Sequence, residues 1–180
     1  MLSEEIKWSK EVIDKYFKDG ALKHCQEKSA LISKFEYGGS LYENLKIQGA
    51  DEGDANIHVV LKVKKCFVTF DTKEDGFALV KAVEGSPYKE YANEEGLLMP
   101  QKFKVWLFKL VTSAVQDVSS KASSVSFKVS SCSAGVKVTI TESSKSLEVQ
   151  LVPAFQHSSD EFFIAAPQHG HLPEIGRAHV

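Results

Sequence analysis

The chain has 180 residues, 43% of them hydrophobic and 26% charged, proportions ordinary for a soluble globular protein of one domain or one and a fragment of another. A net charge of −2 excludes an overall attraction to nucleic acid. The only arginine is Arg177, which nearly excludes bidentate guanidinium clamps on phosphate or guanine and leaves phosphate contacts to lysines, hydroxyls and backbone N–H groups.

No apolar run is long enough to span a bilayer, and Met1-Leu2-Ser3-Glu4-Glu5 lacks a signal-peptide pattern. Cys25, Cys66 and Cys132 lie far apart without Cys-x-x-Cys spacing. They read as buried or free thiols in a reducing compartment, and therefore point to the cytoplasm.

Ser3 is the expected N-cap of a first helix, with Glu4 and Glu5 in the favourable first turn. Ile6, Val12, Ile13, Tyr16 and Phe17 mark its apolar face, and Gly20 its end. A second helical pattern carries Leu22, Cys25, Leu31, Ile32 and Phe35 up to the Gly38-Gly39 turn. Lysines and acids interleave on both helices, so a solvated, salt-bridged face is expected there rather than a basic stripe.

Ser40 follows the two glycines, which free the backbone to bring its N–H and hydroxyl close to a phosphate. A strand is expected from Asp54 through Lys65, with Ala55, Ile57, Val59, Leu61 and Val63 on one face and Asp54, Asn56 and His58 on the other. Glu52 and Asp54, two apart, project their carboxylates to one side of an extended chain. A phosphate-holding turn and paired carboxylates for magnesium are what nucleotidyl transfer needs. The competing reading is an ordinary turn and a solvated acidic loop before an edge strand.

Phe67–Phe70 and Phe77–Lys81 are further strand candidates across a polar turn. Ser86-Pro87-Tyr88 opens a short irregular passage closing near Gly96. Pro100 begins a strong helix on which Phe103, Trp106, Leu107, Leu110, Ala114 and Val118 form a core face rather than a cofactor platform. Despite its serines, 119–133 contains an alternating Val125, Phe127, Val129 and is expected to hold a strand. Val136, Val138 and Ile140, then Leu147, Val149 and Leu151, mark two more strands joined by the turn Glu142–Ser146.

Gly39-Ser40, followed about a dozen residues later by Glu52-Gly53-Asp54 and an apolar strand, resembles the nucleotidyltransferase family of cyclic GMP–AMP synthase (cGAS), the cGAS-like receptors and the male-abnormal-21-like proteins. Gly53 stands where that family usually has an aromatic residue. The run Leu147-Glu148-Val149-Gln150-Leu151-Val152-Pro153-Ala154-Phe155 is similar to a second family motif, with Gln150 at the place of its third metal-binding aspartate. Glu161–Pro167 resembles the segment that precedes the family's helical lobe.

The resemblance implies an α+β nucleotidyltransferase core of the polymerase-beta-like kind, with a mixed twisted sheet. It assigns residues 1–37 to N-terminal spine helices, 38–167 to the core, and 168–173 to the start of a second lobe whose remainder is missing. It implies catalytic roles for Glu52, Asp54 and the degenerate Gln150, magnesium (or manganese) on Glu52 and Asp54, and nucleotide phosphates on Gly39 and Ser40. Glu148 shares the Gln150 face but lies one strand step, about 6–7 Å, away, too far for an easy replacement. His169 and His171 read as exposed loop histidines, since no partner pair has ligand spacing.

The implied function is synthesis of a cyclic dinucleotide or related product from ATP and GTP, triggered by double-stranded RNA or DNA in innate immunity, without a membrane partner. The alternatives are a catalytically impaired pseudoenzyme that binds nucleotides or acts as a scaffold, and an unrelated α+β binding domain. Glu174–Val180 can be encoded by GAG-ATC-GGA-AGA-GCA-CAC-GTC, the start of a widely used sequencing adapter, so residues 174–180 are expected to be an assembly artefact. Resequencing the transcript across codon 173 should show a different continuation; a genomic match through Val180 to a stop codon refutes the expectation.

Overall fold

The computed structural model describes residues 4–38, 55–65, 67–71, 77–133, 135–158, 161–164 and 175–179. Its N-terminal helix is continuous where the sequence suggested two. An α segment, α1 (Glu4–Val12), passes into a π-helical segment (Ile13–Ala21) and on into α2 (Leu22–Lys28). Gly20 does not end the helix; it allows close approach, since a Cβ there would lie 3.1 Å from Val118 Cγ2. The helix stops at Ser29, whose backbone is extended.

Beyond it the expected helical continuation is wrong: Ile32–Gly38 is strand β1. Ile32 and Phe35, three apart, share a face of the strand only because a β-bulge lies between Ile32 and Lys34, a feature set by pairing with a neighbour. That neighbour is β2 (Ala55–Leu61), antiparallel to β1 with Gly38 opposite Asn56 and Glu36 opposite His58. Ala55, Ile57, Val59 and Leu61 are buried as expected. The strand does not continue to Lys65; it ends at Leu61, and Val63 is exposed.

Strands β3 (Val68–Asp71) and β4 (Phe77–Ala82) form the expected antiparallel pair, followed by a 3-10 turn at Lys89–Tyr91. Helix α3 (Pro100–Ser119) has Pro100 in its first turn, and it buries Phe103, Leu107, Val111, Ala114, Val115 and Val118. Strands β5 (Ser126–Ser131), β6 (Val136–Glu142) and β7 (Lys145–Ser158) follow. Glu142 pairs with Lys145 across a tight hairpin with Ser143 at a φ of 54°.

β7 organises the sheet. Along one edge it runs parallel to β2, from Ala55 opposite Val149 to Leu61 opposite Phe155. Along the other it pairs with β6 up to Leu151 and with β8 (Glu161–Ile164) from Ala154. Pro153, which has no N–H to donate, falls at this changeover. The sheet continues through β9 (Ile175–His179) to β4 and β3, giving nine strands in a mixed arrangement.

The helices and one sheet face enclose a single large core in which Phe103, Tyr88 and Phe155 meet at ring separations of 5.7–6.0 Å. Tyr88 is wholly buried, and its hydroxyl donates to the Lys62 carbonyl at 2.8 Å. Trp8 ties α1 to the β6–β7 hairpin, donating from Nε1 to Glu142 at 2.7 Å.

The approach of β6 to β7 depends on Gly135. A Cβ there would overlap the Leu151 carbonyl oxygen and lie 3.2 Å from Val152 Cα. Backbone cannot yield as a side-chain tip does, so Gly135→Ala must part the two strands. We expect it to lower the unfolding free energy by about 3 kcal/mol in urea titrations; an unchanged midpoint would show that the strand ends separate freely.

Candidate functional site

Alternation divides the central strands into two unlike faces. Ala55, Ile57, Val59, Val136, Val138, Ile140, Leu147, Val149 and Leu151 point into the core. The residues between them bring Glu36, Asn56, His58, Lys137, Thr139, Glu148 and Gln150 to the opposite face, all half-buried.

Register aligns these residues in rows. Gly38, Asn56, Gln150 and Lys137 lie side by side across β1, β2, β7 and β6. Glu36, His58 and Val152 form the next row in one direction, and Thr139 and Glu148 pair in the other. Beyond His58 the same face turns apolar, where Val60 pairs with Ala154 and both are buried apart from the main core.

The electrostatics of this face are mixed. Lys137 Nζ lies 3.6 Å from Glu148 Oε2, so that carboxylate already has a cation beside it. Glu36 is paired with Lys34 at 2.8 Å. Burial pushes the His58 imidazole below its ordinary value, and Glu36 partly offsets this. Among the described residues Asn56 Oδ1 is buried with no hydrogen-bond partner, a state that costs about 1–3 kcal/mol when nothing compensates.

Of the residues expected to form the site, Gln150 falls in the middle of this polar row. Gly39, Ser40, Glu52 and Asp54 lie outside the described residues, as do Ser3, His169 and His171. The described ends of the 39–54 connection are Gly38, opposite Asn56, and Ala55, opposite Val149. Sequence reading placed Asn56 and His58 on this face but missed Lys137, which the spacing of Val136, Val138 and Ile140 implies by exclusion.

The row offers the amide oxygens of Asn56 and Gln150 beside the Lys137 ammonium, with the Glu148 carboxylate in the adjoining row, and hard divalent cations prefer oxygen donors. Two amides and one ion-paired carboxylate carry too little charge to hold a magnesium ion by themselves. Among the described residues no group of three His, Cys, Asp or Glu side chains converges on one point. The described donor set does not by itself fit a divalent ion.

Two other cavities share no residue with this face. One, of about 370 Å³, lies between the 3-10 turn and α3 and is lined by Tyr91, Val105 and Trp106 with Lys102 and Lys109. The other, of about 410 Å³, lies between the N-terminal helix and the end of α3, around His24 and Asp117. Phe103, behind the first, is fully buried, which supports its reading as core.

A helix-covered mixed sheet with a parallel central pair makes this an α+β domain. The family model for the Mab-21 protein nucleotidyltransferase domain matches residues 41–162, and the chain belongs to that family. It is also similar to cyclic GMP-AMP synthase-like receptor 3 of Stylophora pistillata, with 29% identity over 178 residues, covering 94% of this chain and 52% of the relative. The chain thus spans about half the length of that curated relative. No helix among the described residues is long and apolar enough to cross a membrane.

His58 gives a pH test of the face. Its folded value lies below the ordinary 6.5, so above that pH it is neutral in both states and contributes no pH dependence. As the pH falls below 6.5 the unfolded chain takes up a proton that the folded chain resists, and stability drops. His58→Gln should remove this part of the loss, so urea midpoints at about pH 7.5 and about pH 5.5 should differ less than in the unsubstituted protein. Equal differences would mean that His58 keeps its ordinary affinity for protons.

Proposed function

We propose that the protein is a cGAS-like nucleotidyltransferase that binds ATP or GTP with magnesium, makes a cyclic dinucleotide or related product, and turns over slowly because of Gln150. The observation that carries this reading is the position of Gln150, in register with Asn56 on β2 and next to the strand ends that flank the 39–54 connection. Membership of the Mab-21 nucleotidyltransferase family and similarity to a cGAS-like receptor supply the reaction class.

In this reading Gly39 and Ser40 hold the triphosphate, while Glu52 and Asp54 hold the metal. When bound, the metal supplies charge neutralisation of the phosphates and activation of the attacking ribose hydroxyl. Glutamine offers one neutral amide oxygen where the family motif has a carboxylate. The hydroxyl proton therefore leaves against a weaker electrostatic field, while the triphosphate site keeps its two carboxylates. Binding is retained and chemistry is slowed.

Free Cys25 and Cys132 suit a reducing compartment, so we place the protein in the cytoplasm. Double-stranded RNA or DNA is the triggering partner that the kinship suggests, though the net charge of −2 leaves binding to local lysines rather than an overall field. A second reading, a pseudoenzyme that binds nucleotide as a scaffold, is favoured by the same Gln150. Turnover separates the two.

ATP or GTP should raise the melting temperature with magnesium present and much less without it. Gln150→Asp should increase product formation by about 100-fold or more while changing nucleotide affinity little. Equal turnover by the unsubstituted protein and Gln150→Asp would remove Gln150 from the metal-ligand role, and no stabilisation by any nucleotide would remove the family activity from this chain.

A further inference from the structure

We propose that the cleft between the 3-10 turn and α3 is a binding site for a small planar aromatic carboxylate, with the ring against Tyr91, Val105 and Trp106 and the carboxylate on Lys109. The inference stands apart from the nucleotide reading, because the cleft shares no residue with the polar sheet face.

The cleft begins with the spacing of α3. Lys102, Val105, Trp106 and Lys109 stand at i, i+3, i+4 and i+7, so one helix face carries an apolar middle between two lysines about 10 Å apart along the axis. Val105, in that middle, is 47% exposed. Tyr91, from the 3-10 turn, supplies the opposite wall. Its ring stacks on buried Phe103 at 4.9 Å and 22°, and meets Trp106 at 6.3 Å and 69°. Trp106 is itself set perpendicular to Phe103 at 6.4 Å. Two pinned rings at a steep angle make a corner that is in place before a ligand arrives, so little ordering cost falls on binding. The volume of about 370 Å³ suits a small molecule.

Charge selects the kind of ligand. Lys102 and Lys109 line the cleft against a single acid, Glu90. Burial, then the hydrogen bond to Glu90 and its charge, push the Tyr91 phenol up to about 12, so Tyr91 adds no negative charge near neutral pH. Lys102 donates to the Ala92 carbonyl at 3.3 Å, which leaves two of its three N–H groups. Lys109 has no ion-pair or hydrogen-bond partner among the described residues. An apolar floor with a surplus cation at its rim repels an ammonium and attracts an anion, while the rings disfavour a ligand that is charged throughout. A carboxylate on a flat ring meets both demands: the ring buries against Tyr91 and Trp106, and the charged end reaches Lys109 at the rim.

Naphthoate serves as the probe, with naphthamide as an uncharged ring of the same shape. The full chain is titrated with each by calorimetry, without nucleotide or metal. Naphthoate should bind about 5-fold tighter than the amide. Lys109→Gln should remove most of that preference and leave amide binding unchanged. Val105→Glu puts a like charge on the exposed floor, and should weaken naphthoate by about 20-fold or more with no change in the urea midpoint. No binding of naphthoate at millimolar concentration, equal binding of acid and amide, or a preference that survives Lys109→Gln intact would each overturn the proposal. So would naphthoate binding untouched by Val105→Glu, which would place the ligand elsewhere. Stabilisation by ATP is a separate result and alters none of these outcomes.

Discussion

The parallel pairing of β2 with β7 is the constraint on which the rest of the molecule depends. Parallel neighbours cannot be joined by a tight turn, so the chain must leave one end of β2 and travel back before β7 can enter beside it. The connection occupies residues 62–144 and contains β3, β4, α3, β5 and β6. Helix α3 covers the core face of the sheet on this path, with Phe103 against Phe155 at 5.7 Å. The N-terminal helix then closes over α3 at Gly20, where a side chain would press on Val118. One face is sealed by this route, and the polar row is placed on the other.

Much of this was legible because the strands alternate cleanly. Val136, Val138 and Ile140, like Ala55, Ile57 and Val59, announce a buried face, and the residues between them are assigned to the other face at once. The serine-rich stretch 119–133 holds β5 for the same reason: Val125, Phe127 and Val129 outweigh their neighbours' turn preference. Ile32–Gly38 was misread because Ile32 and Phe35 have helical spacing, and the β-bulge that brings them to one strand face exists only in the pairing with β2. Tyr88 was missed for another reason. Its place at the centre of an aromatic cluster depends on Phe103 and Phe155, which are remote in sequence, and on a carbonyl from Lys62.

The site was legible as motifs but not as a surface. Gln150 could be matched to a position of the family motif from its flanking Val149, Leu151 and Pro153. What stands beside it could not, because the register of a parallel pair is set by packing along its whole length rather than by any local signal. Asn56 becomes its neighbour only when Ala55 is set opposite Val149. Lys137 likewise reaches Glu148 only through the β6–β7 hairpin, whose length fixes Glu142 against Lys145.

That ion pair bears on why a glutamine is tolerated at this place. A carboxylate at residue 150 would share a strand face with Glu148 and raise the proton affinity of both, since like charges on one face repel. Lys137 offsets Glu148 in the row, and Gln150 adds no charge to it. The metal-free sheet is therefore less strained than one carrying an aspartate at residue 150. In the metal-binding reading proposed above, the same neutrality weakens the hold on a cation, so stability without metal and strength of the proposed third ligand oppose each other at one side chain. Gln150→Asp should therefore show both effects together, a lower melting temperature without divalent ions and a larger rise on adding them. A variant that gained activity with no metal-free loss would mean that charge repulsion is not what the glutamine relieves.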